Sequence, residues 1–384
     1  MSNARARVLA AMPPEADLLV RSPGRINLIG EHTDYNGGLV MPAAIDKAIY
    51  FGVRRTAERA WRLTALDLGE TATLHLPVSG PVDQLWVNYL AGVGEQFQQL
   101  GHELPGLEIT FGGDLPRGSG MSSSAALEGG MAFTLNELLG AGLSRPELAQ
   151  LCKRSSNSFL GVPSGIMDQF ASLNGSASGP LRLNCETLAF KTVNSRTTGY
   201  EWLLVNSMVT HELGSSEYPE RVRECAAALA AIQNNYPYVS ELCNATQEQL
   251  LSIRDAVPEN VYRRADYVIN ENLRVHAMTE ALEAGNVRDA GHLLNQTHAG
   301  LRDDYAVSCA EVDFLQEQAT VHFPGDVAGA RIMGGGFGGC TINLVRSQDV
   351  AKLEDFLTEA YLQRFGRTPE FYPVRLAAGT SLEL

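Results

Sequence analysis

Leu115-Pro-Arg-Gly-Ser-Gly-Met-Ser-Ser-Ser-Ala-Ala126 sets Pro116, Gly118 and Gly120, which bend or loosen a backbone, directly before three serines. An apolar, Ala-rich segment follows to Leu139 and stops at Gly140. The pattern predicts a glycine loop feeding a helix, with Ser122–Ser124 near the N-cap and Gly140 just past the C-terminus. Free N–H groups and the positive end of the helix dipole favour a phosphate there. Glycines let the backbone approach the anion, and a serine hydroxyl can add a hydrogen bond or a Mg²⁺ ligand. The loop has no Lys, so it is not the G-x-x-x-x-G-K-[ST] motif. An ordinary Ser-capped helix satisfies the same pattern, so the rest of the chain must decide.

The chain has 384 residues, more than one core usually organises, which points to two domains. Its 45% hydrophobic and 19% charged content is that of a soluble globular protein. A net charge of −14 argues against nucleic acid or an anionic membrane as partner, while leaving room for a small anion at a local loop. Six cysteines are scattered without C-x-x-C pairs or zinc spacing, as expected of free thiols in a reducing compartment. Pro13, Pro14, Glu15 and Asp17 interrupt the N-terminal segment, and no stretch approaches the roughly 18 apolar residues of a membrane span. The expectation is a cytoplasmic protein, monomeric or weakly oligomeric.

Upstream, a strand-like run at Leu18–Arg21 ends in Ser22-Pro23-Gly24 and opens Gly24-Arg-Ile-Asn-Leu-Ile-Gly-Glu-His-Thr-Asp-Tyr35. This segment is too rich in Gly and polar groups for a simple core strand. Arg25, Glu31, His32 and Asp34 in one turn-prone stretch suit recognition of many hydroxyls, though a solvated loop with internal ion pairs has the same composition. Downstream, Asp168 is the lone acid in the apolar, Gly-rich Gly161–Phe170 segment, either paired in the interior or placed for chemistry.

Three blocks in one order carry a resemblance. Gly24–Tyr35 resembles the galactokinase signature, and Leu115–Ala126 resembles the phosphate loop of the wider GHMP small-molecule kinases. Met333-Gly-Gly-Gly-Phe-Gly-Gly-Cys340 is similar to the C-terminal glycine motif of that superfamily. Its G-x-G-x-x-G spacing matches the dinucleotide fingerprint, but a strand-like Cys-Thr-Ile-Asn-Leu-Val follows where a helix is required. A glycine hairpin beside the active site fits better.

The resemblance implies an α+β, two-domain GHMP kinase with its site in the interdomain cleft. An N-terminal domain over residues 1–195 and a C-terminal one over 196–384 are expected. The implied reaction carries the ATP γ-phosphoryl group to the anomeric hydroxyl of D-galactose. Asp168 would take the hydroxyl proton, with Arg25 keeping it ionised and stabilising the phosphoryl charge. Glu31, His32, Asp34, Gly165 and Tyr218 (within Ser216-Glu-Tyr-Pro219) would hold the sugar. Gly118, Ser119, Gly120, Met121, Ser122, Ser123 and Ser124 would hold the ATP phosphates, with Ser124 the Mg²⁺ ligand and Trp86 against adenine.

There are two departures from the family pattern. Ser164 replaces a usual Cys, and Ser156 stands where galactokinases usually carry a Glu that coordinates Mg²⁺. The latter predicts a kinase that needs more free Mg²⁺. It also keeps open a sugar and ATP sensor without catalysis. A kinase for N-acetylgalactosamine, arabinose or a uronic acid is the other alternative.

Overall fold

The computed structural model describes residues 3–116, 118–162, 165–209 and 217–383. Helix α1 (Asn3–Ala11) precedes strand β1 (Leu18–Asn27), and the short β2 (Leu39–Val40) leads into β3 (Pro42–Thr56), β4 (Ala60–Ala65) and β5 (Glu70–His75). Helix α2 (Leu85–Gln99) and β6 (Gly106–Gly113) bring the chain to α3 (Ser123–Leu139), α4 (Arg145–Arg154) and α5 (Met167–Asn174). Strands β7 (Leu181–Asn184), β8 (Phe190–Thr192) and β9 (Tyr200–Asn206) follow. Next come helices α6 (Glu217–Asn235), α7 (Gln247–Leu251), α8 (Glu259–Ala284), α9 (Val287–Ala299) and α10 (Ala310–His322). The chain closes with β10 (Val327–Ile332), β11 (Cys340–Arg346), α11 (Val350–Phe365), β12 (Glu370–Val374) and β13 (Ser381–Leu382).

The strands form a six-stranded sheet in the order β13-β1-β3-β6-β4-β5, a four-stranded sheet β10-β11-β9-β12, and a small sheet β2-β7-β8. Pairing is antiparallel except between β4 and β6. Helix α3 lies close on β3 because it carries Gly130 there. A Cβ at that position would stand 2.2 Å from the Phe51 ring. Helix α11 covers the second sheet with a stripe at i, i+4 and i+8 (Leu353, Leu357 and Tyr361), all fully buried.

One apolar cluster fills the space between the six-stranded sheet and its helices, around Phe51, Trp61, Phe97 and Phe170. Another runs across the molecule, joining Ile26, Leu28, Ile29 and Met41 to Val275, Met278, Leu294, Ile342 and Leu344. The seam between the two large sheets is therefore packed, and the Gly24–Tyr35 segment lies along it.

One reading of local structure needs correction. Strand β1 does not stop at Arg21 but continues to Asn27 through an irregularity between Pro23 and Arg25. This bulge lets a polar, glycine-containing run stay in the ladder. The N-terminal residues form α1, and Glu70–His75 forms an edge strand opposite β4. Neither has an apolar pattern strong enough to announce it. Pro219 lies in the first turn of α6, which begins at Glu217.

Candidate active site

The bulge in β1 presents Arg25 to two other segments. Gly24 is required here, since a Cβ would lie 2.7 Å from the Met121 carbonyl oxygen and 2.3 Å from Leu115 Cδ2. The phosphate loop rests directly on this strand, and the Arg25 amide donates to the Met121 carbonyl at 3.0 Å. The Arg25 guanidinium donates through Nε to Asp168 Oδ1 and through Nη2 to Asp168 Oδ2, both at 2.9 Å. This fork-to-fork pair fixes both groups in one plane. Nη1 donates to the Gly120 carbonyl. Asp168 stands in the first turn of α5, where the helix dipole favours its negative charge.

Ser122 is at the N-cap position of α3, as expected from the sequence, but its hydroxyl does not cap the helix. It donates instead to Asp168 Oδ2 at 2.5 Å. The residue is held in the left-handed region at φ 56°, a conformation that costs a non-glycine residue of order 1–3 kcal/mol. Gly118 and Gly120 share that region at φ 69° and 70° without the cost. Ser119 and Met121 are buried, with the Ser119 hydroxyl on the Pro116 carbonyl at 2.7 Å. Ser123 and Ser124 open the helix, half-buried. Together Arg25, Asp168 and Ser122 tie the loop, β1 and α5 into one centre.

Asp34 lies beside this centre. Burial pushes its carboxyl up to about 7, and the charges of Asp168 and then Glu31 add to the shift. Gly165 approaches so closely that a Cβ would fall 1.6 Å from Asp34 Oδ2. A cavity of about 290 Å³ opens from Asp34, Tyr35, Gly165 and Tyr218 toward Lys153 and Glu241. A larger cleft of about 550 Å³, between α8 and the end of α9, contains none of the residues singled out from the sequence.

His32 is buried in the left-handed region at φ 62°. Its Nδ1 and the Tyr35 hydroxyl lie 2.9 Å apart, and its ring centroid is 5.7 Å from Tyr218 and 4.6 Å from Tyr305. Burial, followed by the charge of Arg221, lowers His32 to about 3, so this imidazole is neutral at physiological pH. Glu31 is held from the far half of the chain. Its Oε1 accepts from Arg331 Nη1 at 3.0 Å and from the Gly334 amide at 2.8 Å. Arg331, fully buried, also donates to the carbonyls of Asn27, Leu28 and Ile332.

Known proteins of one family match this chain. Residues 11–55 match the galactokinase galactose-binding signature, 88–176 the GHMP kinases N terminal domain, and 278–363 the GHMP kinases C terminal domain. The galactokinase of Roseiflexus sp. (strain RS-1) is 38% identical over 362 residues, covering 94% of this chain and 92% of the relative. The chain belongs to the galactokinase family. The galactokinase of Clostridium beijerinckii is 35% identical, with 95% of each chain covered. The crystal structure of Lactococcus lactis galactokinase complexed with galactose superimposes with a TM-score of 0.90 at 34% identity, covering 95% and 94% of the two chains. A mevalonate kinase from Methanococcus jannaschii, at TM-score 0.68 and 19% identity, shares the GHMP fold.

Two positions gain meaning within this galactokinase framework. Ser156 is 5% exposed, and its hydroxyl donates to Glu128 Oε1 at 2.6 Å. Gln169 donates to the other oxygen at 3.0 Å. Glu128, one helical turn beyond Ser124, is fully buried, and burial raises it to about 7 despite those two bonds. Trp86 opens α2, with its Nε1 donating to Glu70 Oε2 at 2.7 Å and its ring 5.6 Å from Phe111. Arg117, Ser164 and Ser216 lie outside the described residues. Among the described residues no helix is long and apolar enough to cross a membrane.

Sequence reasoning missed Glu128, Arg221, Tyr305 and Arg331. Arg331 had a signal, as a charged residue in an apolar strand immediately before the glycine block. Glu128 had one too, as an acid in an Ala- and Gly-rich helix.

Proposed function

We propose that this chain transfers the γ-phosphoryl group of ATP to the anomeric hydroxyl of D-galactose, giving galactose 1-phosphate and ADP. The observation that carries this reading is the Asp168 carboxylate, clamped by Arg25 and Ser122 where the phosphate loop meets the Asp34 side of the cleft. In the proposed step Asp168 accepts the hydroxyl proton, the sugar oxygen bonds to phosphorus, and the bond to the leaving ADP breaks. Such transfer depends on in-line positioning and charge neutralisation more than on covalent catalysis. Arg25 supplies the positive charge, and the N-terminal amides of α3 with Gly118–Ser124 bind the phosphates.

Glu31, His32, Asp34, Gly165 and Tyr218 are proposed to hold the sugar. Neutral His32 serves as a hydrogen-bonding group rather than a cation. Trp86 offers a half-buried aromatic face for adenine, its indole N–H already satisfied by Glu70.

Mg²⁺ is the ion this reaction calls for. Among the described residues no group of three or more His, Cys, Asp or Glu side chains is arranged around a metal site. That sparse donor set fits an ion held mainly by phosphate oxygens and water, with one or two protein ligands. Ser124, in the first turn of α3, would be such a ligand. Bound there, the ion would neutralise charge on the transferred group.

An ADP-release assay over a sugar panel tests the reading. Turnover of galactose well above glucose and N-acetylgalactosamine is expected, because a site built to bond particular hydroxyls rejects isomers by up to about 10⁴-fold. Equal turnover of galactose and glucose would overturn it, and no ADP release with any sugar would favour a sensor.

A further inference from the structure

Arg221 is buried one turn beyond Tyr218 on α6. Its Nε donates to the Tyr305 carbonyl at 2.8 Å and its Nη2 to the Ala306 carbonyl at 3.0 Å. Nη1 is balanced by Glu224 at 3.4 Å, which is itself held by Arg264 at 3.0 Å. The Arg221 guanidinium also faces the Phe337 ring at 6.0 Å.

The segment gripped in this way supports two other parts of the molecule. The Tyr305 ring lies on His32, and its hydroxyl is 2.7 Å from that of Tyr35. Val307 accepts from the Phe337 amide at 2.6 Å, and a Cβ at Gly336 would stand 2.5 Å from the same carbonyl. The glycine hairpin so supported donates from Gly334 to Glu31. Three non-glycine residues in the left-handed region, His32 (φ 62°), Ala306 (φ 52°) and Phe337 (φ 62°), belong to the parts that meet here. Backbone held in such conformations persists only where its surroundings over-determine it. The Arg221 hydrogen bonds to two consecutive carbonyls supply that constraint on the Tyr305–Val307 side.

We infer that Arg221 is a positioning residue for sugar recognition. By fixing Tyr305–Val307 it sets the common backing of the His32–Tyr35 wall and of the hairpin that holds Glu31. It touches neither substrate in this role. The inference rests on galactose as the ligand of that wall.

Calorimetric titration of galactose and, separately, of ADP into the full-length protein tests it. Arg221→Met keeps the apolar stem and removes the donors, whereas Arg221→Lys keeps the charge and can reach one carbonyl. The galactose Kd should rise about 10-fold or more in Arg221→Met and less in Arg221→Lys, the size expected for lost charge-assisted hydrogen bonds. The ADP Kd should stay within about threefold of the wild-type value. Ile232→Ala, in the core near the far end of α6, controls for helix stability. It should lower the melting temperature without moving the galactose Kd. An unchanged galactose Kd in folded Arg221→Met would overturn the inference, as would an equal rise in Ile232→Ala. If Arg221→Met does not fold, Arg221→Lys decides, and an unchanged Kd there overturns it. Failure of the wild-type protein to bind galactose would instead refute the galactose reading itself.

Discussion

Around Glu31–Asp34 the side chains are buried or nearly so, and their partners come from distant parts of the chain. Glu31 is fixed by Arg331 and Gly334, and Asp34 is pressed against Gly165. The phosphate loop is built differently: Gly118 and Gly120 supply conformations, Ser119 bonds within the loop, and Ser123 and Ser124 stand half-buried at a helix start. One region is pre-shaped by side chains and carries the raised carboxyl of Asp34; the other offers backbone amides. The difference suits the proposed ligands. A hexose is distinguished by the positions of its hydroxyls and needs a rigid, specific wall. A triphosphate is the same for every substrate and needs only charge and close approach. Asp168 is where the two regions join, because Arg25 and Ser122 reach it from either side.

The largest effect should come from breaking that junction. Asp168→Asn is near-isosteric, and turnover should fall about 10²–10⁴-fold while galactose and ATP still bind. Full turnover at saturating substrates would remove Asp168 from the base role.

A change confined to the pre-shaped wall should separate the regions. Asp34→Asn should raise the galactose KM about 10²-fold and leave the ATP KM nearly unchanged. It should also alter stability against pH. Asp34 is raised from 3.8 to about 7 in the fold, so the folded state holds this proton more tightly than the unfolded chain. The stabilising contribution is complete below about pH 4 and is lost as pH rises through about 7. Melting curves of the ligand-free protein should therefore fall less steeply over this window in Asp34→Asn than in wild type. Identical slopes would show that Asp34 ionises normally.

A smaller intrusion follows from Gly165→Ala, whose methyl group must displace the Asp34 carboxylate. The galactose KM should rise by about 10-fold, within the range expected when a binding group is moved by an ångström, with ATP kinetics unaffected. An equal rise in both KM values would mean that the two regions are not separable.

The smallest effect on activity is expected at Ser156. Family resemblance alone suggests that Glu there would lower the Mg²⁺ requirement. The hydroxyl instead bonds Glu128, so Ser156→Glu should place two carboxylates together in the interior. It should lower stability by about 1–3 kcal/mol without shifting the Mg²⁺ concentration for half-maximal rate. A downward shift in that concentration would show that the new side chain reaches the metal.

Much of this site was legible because glycines and clustered polar groups interrupt otherwise apolar patterns. The glycine loop with its helix, the Asp168 segment and the hairpin before β11 were read from such interruptions. What escaped was pairing at long range. Nothing local says that Arg331 will meet Glu31 or that Arg221 will grip Tyr305 and Ala306, since each depends on how the seam closes. The short α5 escaped for another reason. Its eight residues make little more than two turns, too few for an apolar period to stand out.

Strand β13 has a consequence for how the protein is made. Val20 and Arg21 pair with Leu382 and Ser381, the Glu383 amide donates to the Leu19 carbonyl, and the Glu383 side chain binds Arg5. The same β1 carries Arg25 a few residues further along. During synthesis this strand leaves the ribosome long before its outer neighbour exists. One edge of the strand that bears Arg25 therefore stays open until Ser381 and Leu382 have emerged. A substitution in β13 would act directly on the strand that bears Arg25, across a long separation in sequence.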